Sequence, residues 1–267
     1  MNDAKLYEEN NHVQKRDAFD CLVEYSDKIK WRNTGDRLID IGCGDGGVTI
    51  KLLKKFIPHN FERVLGCDIS VNMVNFANEH YKDDNTSFAV LDIGGNLPVD
   101  MRGKFDHAFS FYALNWIKDQ ETAFNNIYDL ITAGGDCLLL FLGYHTYYDI
   151  YRILAQRSKW SSWLQPLDSF ISPYYDSKEP DKEIKSLMAK IGFSDIVVNC
   201  QKKTFIFDSL EIMTNAIQAV NPFQMPKEIW DDFIQDYLQV IRDNEANNNQ
   251  TSGLTVHYTL ITVYGTK

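Results

Sequence analysis

Asp40-Ile-Gly-Cys-Gly-Asp-Gly46 follows the short apolar run Arg37-Leu-Ile-Asp40 and precedes a helix-like segment from Val48 to Phe56. An acid followed by glycines at alternate positions marks a turn from a strand into a helix. Glycine lacks a Cβ, so the backbone can turn sharply there and come close to a ligand. Gly42, Gly44 and Gly47 also satisfy the G-x-G-x-x-G spacing of a dinucleotide site, which alone is weak evidence. Asp40 discriminates. A nicotinamide or flavin dinucleotide would bring a pyrophosphate to this turn, and a carboxylate at the strand end would repel it.

Working outward, the first half of the chain alternates strands and helices. The strands expected are Arg37–Ile41, Arg63–Cys67, Ser87–Leu91, Phe105–Phe111 and Asp136–Leu142, with helices over Val48–Phe56, Ser70–Tyr81 and Gln120–Ile131. Ser70 suits an N-cap, and Gly134-Gly135 is expected to end the third of these helices. One helix, about Val13–Ile29, precedes the first strand. The second half reads as helices over Asp181–Ile191, Ser209–Ala219 and Pro226–Arg242, and two late strands over Ile196–Phe207 and Leu254–Tyr264. In the last strand Val256, Tyr258, Leu260, Thr262 and Tyr264 share a face. Asn244 to Ser252 is the most loop-like stretch. The fold class is α/β: a doubly wound, mostly parallel, seven-stranded sheet of Rossmann-like type with a helical substrate cap. Residues 1–143 are read as an α/β core with its N-terminal helix. Residues 144–267 are read as cap segments plus the last two strands.

The chain has 267 residues, 44% hydrophobic and 24% charged, enough for one large domain with a sizeable core. Its formal net charge of −10 argues against a nucleic-acid partner, which would need a basic surface. Five scattered cysteines without a C-x-x-C pair fit reduced thiols, and with a polar N-terminus they point to a cytoplasmic protein. No apolar run approaches the ~20 residues of a membrane span. Asn85-Thr-Ser87 and Asn249-Gln-Thr251 match the glycosylation pattern, which a cytosolic chain leaves bare. The six histidines show no H-x-x-x-H pair, so no metal site is expected. Composition does not choose between monomer and homodimer.

Three acids fall at three consecutive strand ends. Asp40 closes the first strand. Asp68, before Ile69, closes the second, where a carboxylate accepts from both hydroxyls of a ribose. Asp92 closes the third, placed to accept from an adenine amino group while Ile93 packs on the ring. Ser110 and Phe111 close the fourth and should lie beneath a methionine moiety. With Gly42, Cys43 and Gly44 these residues form a site for S-adenosylmethionine (SAM), which carries an ammonium and a sulfonium and no phosphate.

Further motifs suggest what receives the methyl group. Tyr7-Glu-Glu-Asn-Asn-His-Val-Gln14 resembles the start of carboxyl methyltransferases, including the plant salicylate and jasmonate group. Gln14-Lys-Arg-Asp-Ala18, Gly66-Cys-Asp-Ile-Ser70, Phe109-Ser-Phe-Tyr112, Trp116-Ile117, Cys137-Leu-Leu-Leu-Phe-Leu-Gly143, Phe170-Ile-Ser-Pro-Tyr174 and Asn221-Pro-Phe223 extend the likeness over nearly the whole chain. Taken together, they resemble the insect juvenile hormone acid methyltransferases. The resemblance implies that the Gln14 amide and the Trp116 indole N–H hold the acceptor carboxylate. It implies terpenoid acceptors, farnesoic acid and juvenile hormone acids. Position 115, often histidine in that family, is Asn115 here.

The implied chemistry needs no base. A carboxylic acid of pKa ~4 to 5 is already ionised at neutral pH, and its oxygen can attack the sulfonium methyl directly. Neutral donors orient the anion, whereas a strong cation would stabilise the ground state and blunt attack. An apolar slot for the chain is expected from Tyr112, Asn115, Trp160, Trp163, Phe170, Ile171, Tyr174, Phe223 and Trp230, with Asn221 orienting the carboxylate or closing the site. Each buried methylene would add ~0.8 kcal/mol. Alternatives are a SAM-dependent methyltransferase of another carboxylic acid, such as a fatty or tricarboxylic acid, an inactive paralogue that binds hormone acid or SAM, and, last, a dehydrogenase.

Overall fold

The computed structural model of the protein describes residues 3–32, 35–248 and 254–267, and the side chains of all of these except 245–248. Seven strands form one sheet: β1 (Arg37–Ile41), β2 (Arg63–Asp68), β3 (Thr86–Val90), β4 (Phe105–Phe111), β5 (Ile131–His145), β6 (Ser194–Ile206) and β7 (Thr255–Thr266). Their order is β3-β2-β1-β4-β5-β7-β6. β1 to β5 pair in parallel, and β7 runs antiparallel between β5 and β6. The order reverses between β1 and β4, which opens a crevice at their carboxyl ends, where ligands of such sheets bind.

The helices are α1 (Ala4–Asn10), α2 (His12–Tyr25), α3 (Gly47–Lys51), α4 (Val71–Tyr81), α5 (Gln120–Leu130), α6 (Thr146–Ala155), α7 (Leu167–Phe170), α8 (Pro180–Ile191), α9 (Leu210–Val220) and α10 (Lys227–Asn248). Strand periodicity divides the apolar residues between the two faces of the sheet. On β5, Leu139 and Phe141 pack in one layer with Phe124 and Ile127 of α5 and Met188 of α8. Leu138, Leu140 and Leu142 enter the opposite layer with Ala18, Leu22 and Tyr25 of α2. The same split holds on β7, where Tyr258, Leu260 and Tyr264 face α2 and Ile261 and Val263 face α8. A third core gathers Tyr151, Trp160, Phe233 and Tyr237 among the helices α6, α9 and α10.

Several boundaries differ from the sequence expectation. The helix expected over Val13–Ile29 runs from His12 to Tyr25 and continues as a 3-10 turn over Ser26–Lys28, and an additional helix, α1, precedes it across Asn11 (φ −92°, ψ 41°). The helix expected over Val48–Phe56 ends at Lys51, because Leu52 leaves the helical region, and a 3-10 turn continues it. Gly134 does not end α5. The chain passes from Leu130 directly into β5, where Ile131 pairs with Phe105, and the register then shifts. Gly134, at φ +81°, lies within that irregular stretch. α10 runs through 244–248, which read as loop; the rest of that stretch, including Asn249-Gln-Thr251, lies outside the described residues.

Candidate active site

The turn after β1 is shaped by what lies against it. A Cβ on Gly42 (φ +72°) would sit 2.1 Å from the Ala113 Cβ, so the turn is pressed on the segment that leaves β4. Asp68 is anchored at both oxygens: it accepts from the Gly44 N–H at 2.9 Å and from the Ser70 N–H at 2.8 Å. Asp92 accepts from the Gly94 N–H at 2.9 Å. A cavity is lined by Gly42, Gly44, Asp68, Ile69, Asp92, Ile93 and Phe111, together with Tyr7, Tyr112, Trp116 and Phe170. Ser110 is not among these residues. It is fully buried, and its hydroxyl donates to the Ile41 carbonyl at 2.8 Å, tying the ends of β4 and β1 together.

Beside this cavity is a smaller one, lined by Tyr7, Gln14, Asp40, Gly42, Cys43 and Asp45. Its acids are short of partners. Asp40 is 1% exposed and accepts from the Thr49 hydroxyl at 2.5 Å through one oxygen, while the other has none. Asp45 is 0% exposed, and neither of its oxygens makes a well-formed hydrogen bond. Burial pushes the Asp40 carboxyl up to about 7, against the pull of Thr49. Burial likewise lifts Asp45 to about 6, with Lys15 and the adjacent Gly47 N–H acting in the other direction. Unpaired buried carboxylates are costly. Three orphaned oxygens around one void suit a small cationic group. Asp45 was not among the residues picked from sequence, although an acid inside the glycine turn was a visible signal.

A second cavity shares Tyr7, Tyr112 and Trp116 with the first. Gln14 and Asn115 line it as well, and its other walls are mostly apolar: Leu142, Tyr151, Phe207, Ile217, Val220 and Val256. Tyr112, on the wall between the two cavities, has φ +64°, unusual for a residue with a side chain. Asp17 holds it there. This carboxylate, 0% exposed, accepts from the Tyr112 hydroxyl at 2.5 Å, the Tyr258 hydroxyl at 2.6 Å and the Arg16 guanidinium at 2.9 Å. Gln14 stands one helical turn before Asp17 on α2, so the same clasp sets its position.

Asn115 is buried behind Trp116. The amide orientation that matches both of its neighbours has Nδ2 donating to the Tyr112 carbonyl at 3.2 Å and Oδ1 accepting from the Trp116 indole N–H at 3.2 Å. That N–H, expected to face an acceptor, therefore has a partner within the protein.

Several cap residues expected in the slot lie elsewhere. Trp160 is 1% exposed in the cap core, where its indole N–H donates to Asp236 at 2.8 Å and its ring packs on Phe233. Trp163 packs against that core and Ile171 is part of it. Tyr174 is in the sheet core. Asn221, Phe223 and Trp230 line a separate outer groove. Asn221 accepts from the Tyr151 hydroxyl at 3.0 Å, a contact with the acceptor-side wall, but does not line that cavity itself. Phe170 lies edge-on to Trp116, centroids 6.3 Å apart. The walls sequence reading missed, Tyr147, Tyr151, Ala216, Ile217, Val220 and Tyr237, come from the inward faces of α6, α9 and α10.

A family model described as a methyltransferase domain matches residues 39–137. Over its whole length the chain is 48% identical to the juvenile hormone acid O-methyltransferase of Bombyx mori, of which it covers 98%. This chain belongs to the juvenile hormone acid O-methyltransferase family. The Drosophila melanogaster member is 36% identical over all of this chain and 93% of its own length. The fold is that of class I SAM-dependent methyltransferases. A phosphoethanolamine N-methyltransferase 2 of Haemonchus contortus, solved with S-adenosylhomocysteine, superposes with a TM-score of 0.57 at 18% identity, covering 94% of this chain and 53% of that one. The family assignment agrees with a strand-end acid beside a glycine turn, and with a second cavity that shares three wall residues with the first.

Replacing Asp17 by asparagine removes a buried charge on which two phenols and a guanidinium converge. It is expected to cost about 1 to 3 kcal/mol of stability in denaturant titration and to lower kcat, because Tyr112 and Gln14 lose their common anchor.

Proposed function

We propose that the protein transfers the methyl group of SAM to the carboxylate of a terpenoid acid, farnesoic acid or a juvenile hormone acid, giving the methyl ester. One observation carries this reading. The acceptor-side cavity has apolar walls, meets the cofactor-side cavity at Tyr7, Tyr112 and Trp116, and has no lysine, arginine or carboxylate among its described lining residues. A long apolar acid fits such walls, and neutral donors suit an anion whose charge disappears as it reacts. Its histidine, His145, is held neutral, burial bringing its pKa down to about 3, so it is no base at physiological pH. An acceptor already ionised needs none.

The residues fit SAM. Asp68, fixed through both oxygens, would accept from the ribose hydroxyls. Asp92 would accept from the adenine amino group, with Ile69, Ile93 and Phe111 against the ring and the methionine arm, and Gly42, Cys43 and Gly44 as the floor. Asp40 and Asp45 supply the unpaired oxygens that an α-ammonium would satisfy. When bound, SAM supplies a methyl on a cationic sulfur, open to attack by an ionised carboxylate oxygen. Gln14 then orients the carboxylate through its amide N–H. Trp116 adds its indole N–H by exchanging Asn115 for the acceptor, or narrows the passage with its ring. The surrounding walls exclude water, and alignment of this kind is worth roughly 7 to 11 kcal/mol.

No helix among the described residues is long and apolar enough to cross a membrane. The free thiols, four of five buried, fit the reducing cytoplasm.

Transfer from labelled SAM to a panel of terpenoid, fatty and tricarboxylic acids tests the reading. Ester is expected from the terpenoid acids. Gln14→Ala and Trp116→Phe should each keep SAM affinity and lower kcat by roughly a hundredfold; near-normal turnover in both contradicts the assignment. A second outcome follows from the raised carboxyls. A cation selects their ionised forms, so SAM binding releases protons and affinity rises with pH through 6 to 7. Calorimetric titration should find binding roughly tenfold weaker at pH 6 than at pH 8, with proton release that shrinks in Asp45→Asn.

A further inference from the structure

His145 precedes α6 as its N-cap: the imidazole Nδ1 accepts from the Tyr147 N–H at 3.0 Å. A ring nitrogen that accepts carries no proton, so the neutral ring bears its proton on Nε2. The ring is held in place. It stacks on Tyr258 at 5.4 Å and 17°, and the Tyr147 ring lies 4.5 Å away. Tyr258 is in turn fixed by Asp17. The cap uses Nδ1 only. Nε2 has no hydrogen-bond partner among the described residues, and it is not one of the polar atoms sealed inside the core. The imidazole lines the acceptor-side cavity and not the cofactor-side one.

We propose that His145 Nε2–H is a specificity donor, hydrogen-bonding an oxygen carried on the hydrocarbon chain of the acceptor acid, such as an epoxide, ether or carbonyl oxygen away from the carboxylate. This rests on the carboxylate reading above and deepens it. The carboxylate end is assigned above to Gln14 and Trp116, beside Tyr7 and Tyr112. His145 lines the same cavity with Leu142, Tyr151, Phe207 and Val256, walls that suit the chain of the acid, and the oxygen assigned to it is one carried on that chain. Those neighbours are apolar or aromatic. A pure hydrocarbon chain displaces water from the donor and leaves it unpaired, whereas a chain with an oxygen at the right distance pairs it. Sites built around a buried donor discriminate strongly against analogues that lack the matching atom.

The test is a series of acids of one length, each with a single epoxide or ether oxygen stepped along the chain, compared with the all-carbon parent by kcat/KM. The wild-type protein is expected to favour one position about tenfold or more, mainly through KM. His145→Asn keeps a capping acceptor but draws its remaining N–H donors back from the chain, and His145→Phe keeps a ring with no donor; both should bring the ratio close to one. A cap role alone would lower activity on every acid equally and leave the ratio intact. A wild-type ratio near one at all positions, or a preference that survives in both variants, overturns the proposal. Failure of the wild-type protein to methylate any acid overturns the carboxylate reading itself. Should the variants not fold, ¹⁵N-histidine NMR of the wild-type protein decides: the oxygenated acid must shift the His145 Nε2 resonance and the parent acid must not, and equal shifts overturn the proposal.

Discussion

Asp17 is the point on which the site depends. One buried carboxylate receives a phenol from the end of β4, a phenol from β7 and the guanidinium of its neighbour Arg16. It therefore joins the N-terminal helix, the carboxyl end of the parallel sheet and the antiparallel strand. A charge buried this deeply is tolerable only because it is fully paired. Tyr112 keeps a left-handed backbone angle, and the clasp supplies the interaction that holds it. Tyr112 is also the wall between the two cavities, and α2 brings Gln14 to the acceptor side. Held in one geometry, these residues can align two ligands. Released, they would leave a loop and a loosely docked helix.

The cofactor side works by the opposite means. Asp40 and Asp45 are buried and incompletely paired, so the ligand-free protein carries the cost of their desolvation. A cationic ligand removes that cost, and part of its binding energy comes from the protein's own unmet polarity. The acceptor side instead offers neutral donors in an apolar wall. The two halves thus recognise opposite charges by different physics, and the two sides share Tyr7, Gln14, Tyr112 and Trp116.

Much of the fold was legible because it rests on short-range rules. Alternating β and α segments, Ser70 as an N-cap and the run Cys137–Leu142 all have local causes, and the structure agrees with them. The Gly42 turn was legible for the same reason. What misled was information held in tertiary packing. Gly134 looks like a helix stop, but its positive φ serves an irregular strand pairing of β4 with β5. The cap tryptophans are large and apolar, and sequence does not say which of them face a ligand and which pack on a helix. Trp160 turned to Asp236 and Phe233, while Tyr151 and Ile217 took the cavity wall. Asn115 reads as a substitution in a motif; only the fold reveals that its amide meets the Trp116 N–H.

The central claim, that Gln14 presents the acceptor carboxylate at the junction of the two cavities, is tested most directly by a crystal structure of the protein with S-adenosylhomocysteine and farnesoic acid. The carboxylate should accept from the Gln14 amide at about 3 Å, beside Tyr112 and facing the thioether sulfur, with the chain running toward Tyr151 and Val256. A carboxylate paired with a lysine or arginine, or an acid lying in the outer groove along Asn221 and Trp230, would contradict it.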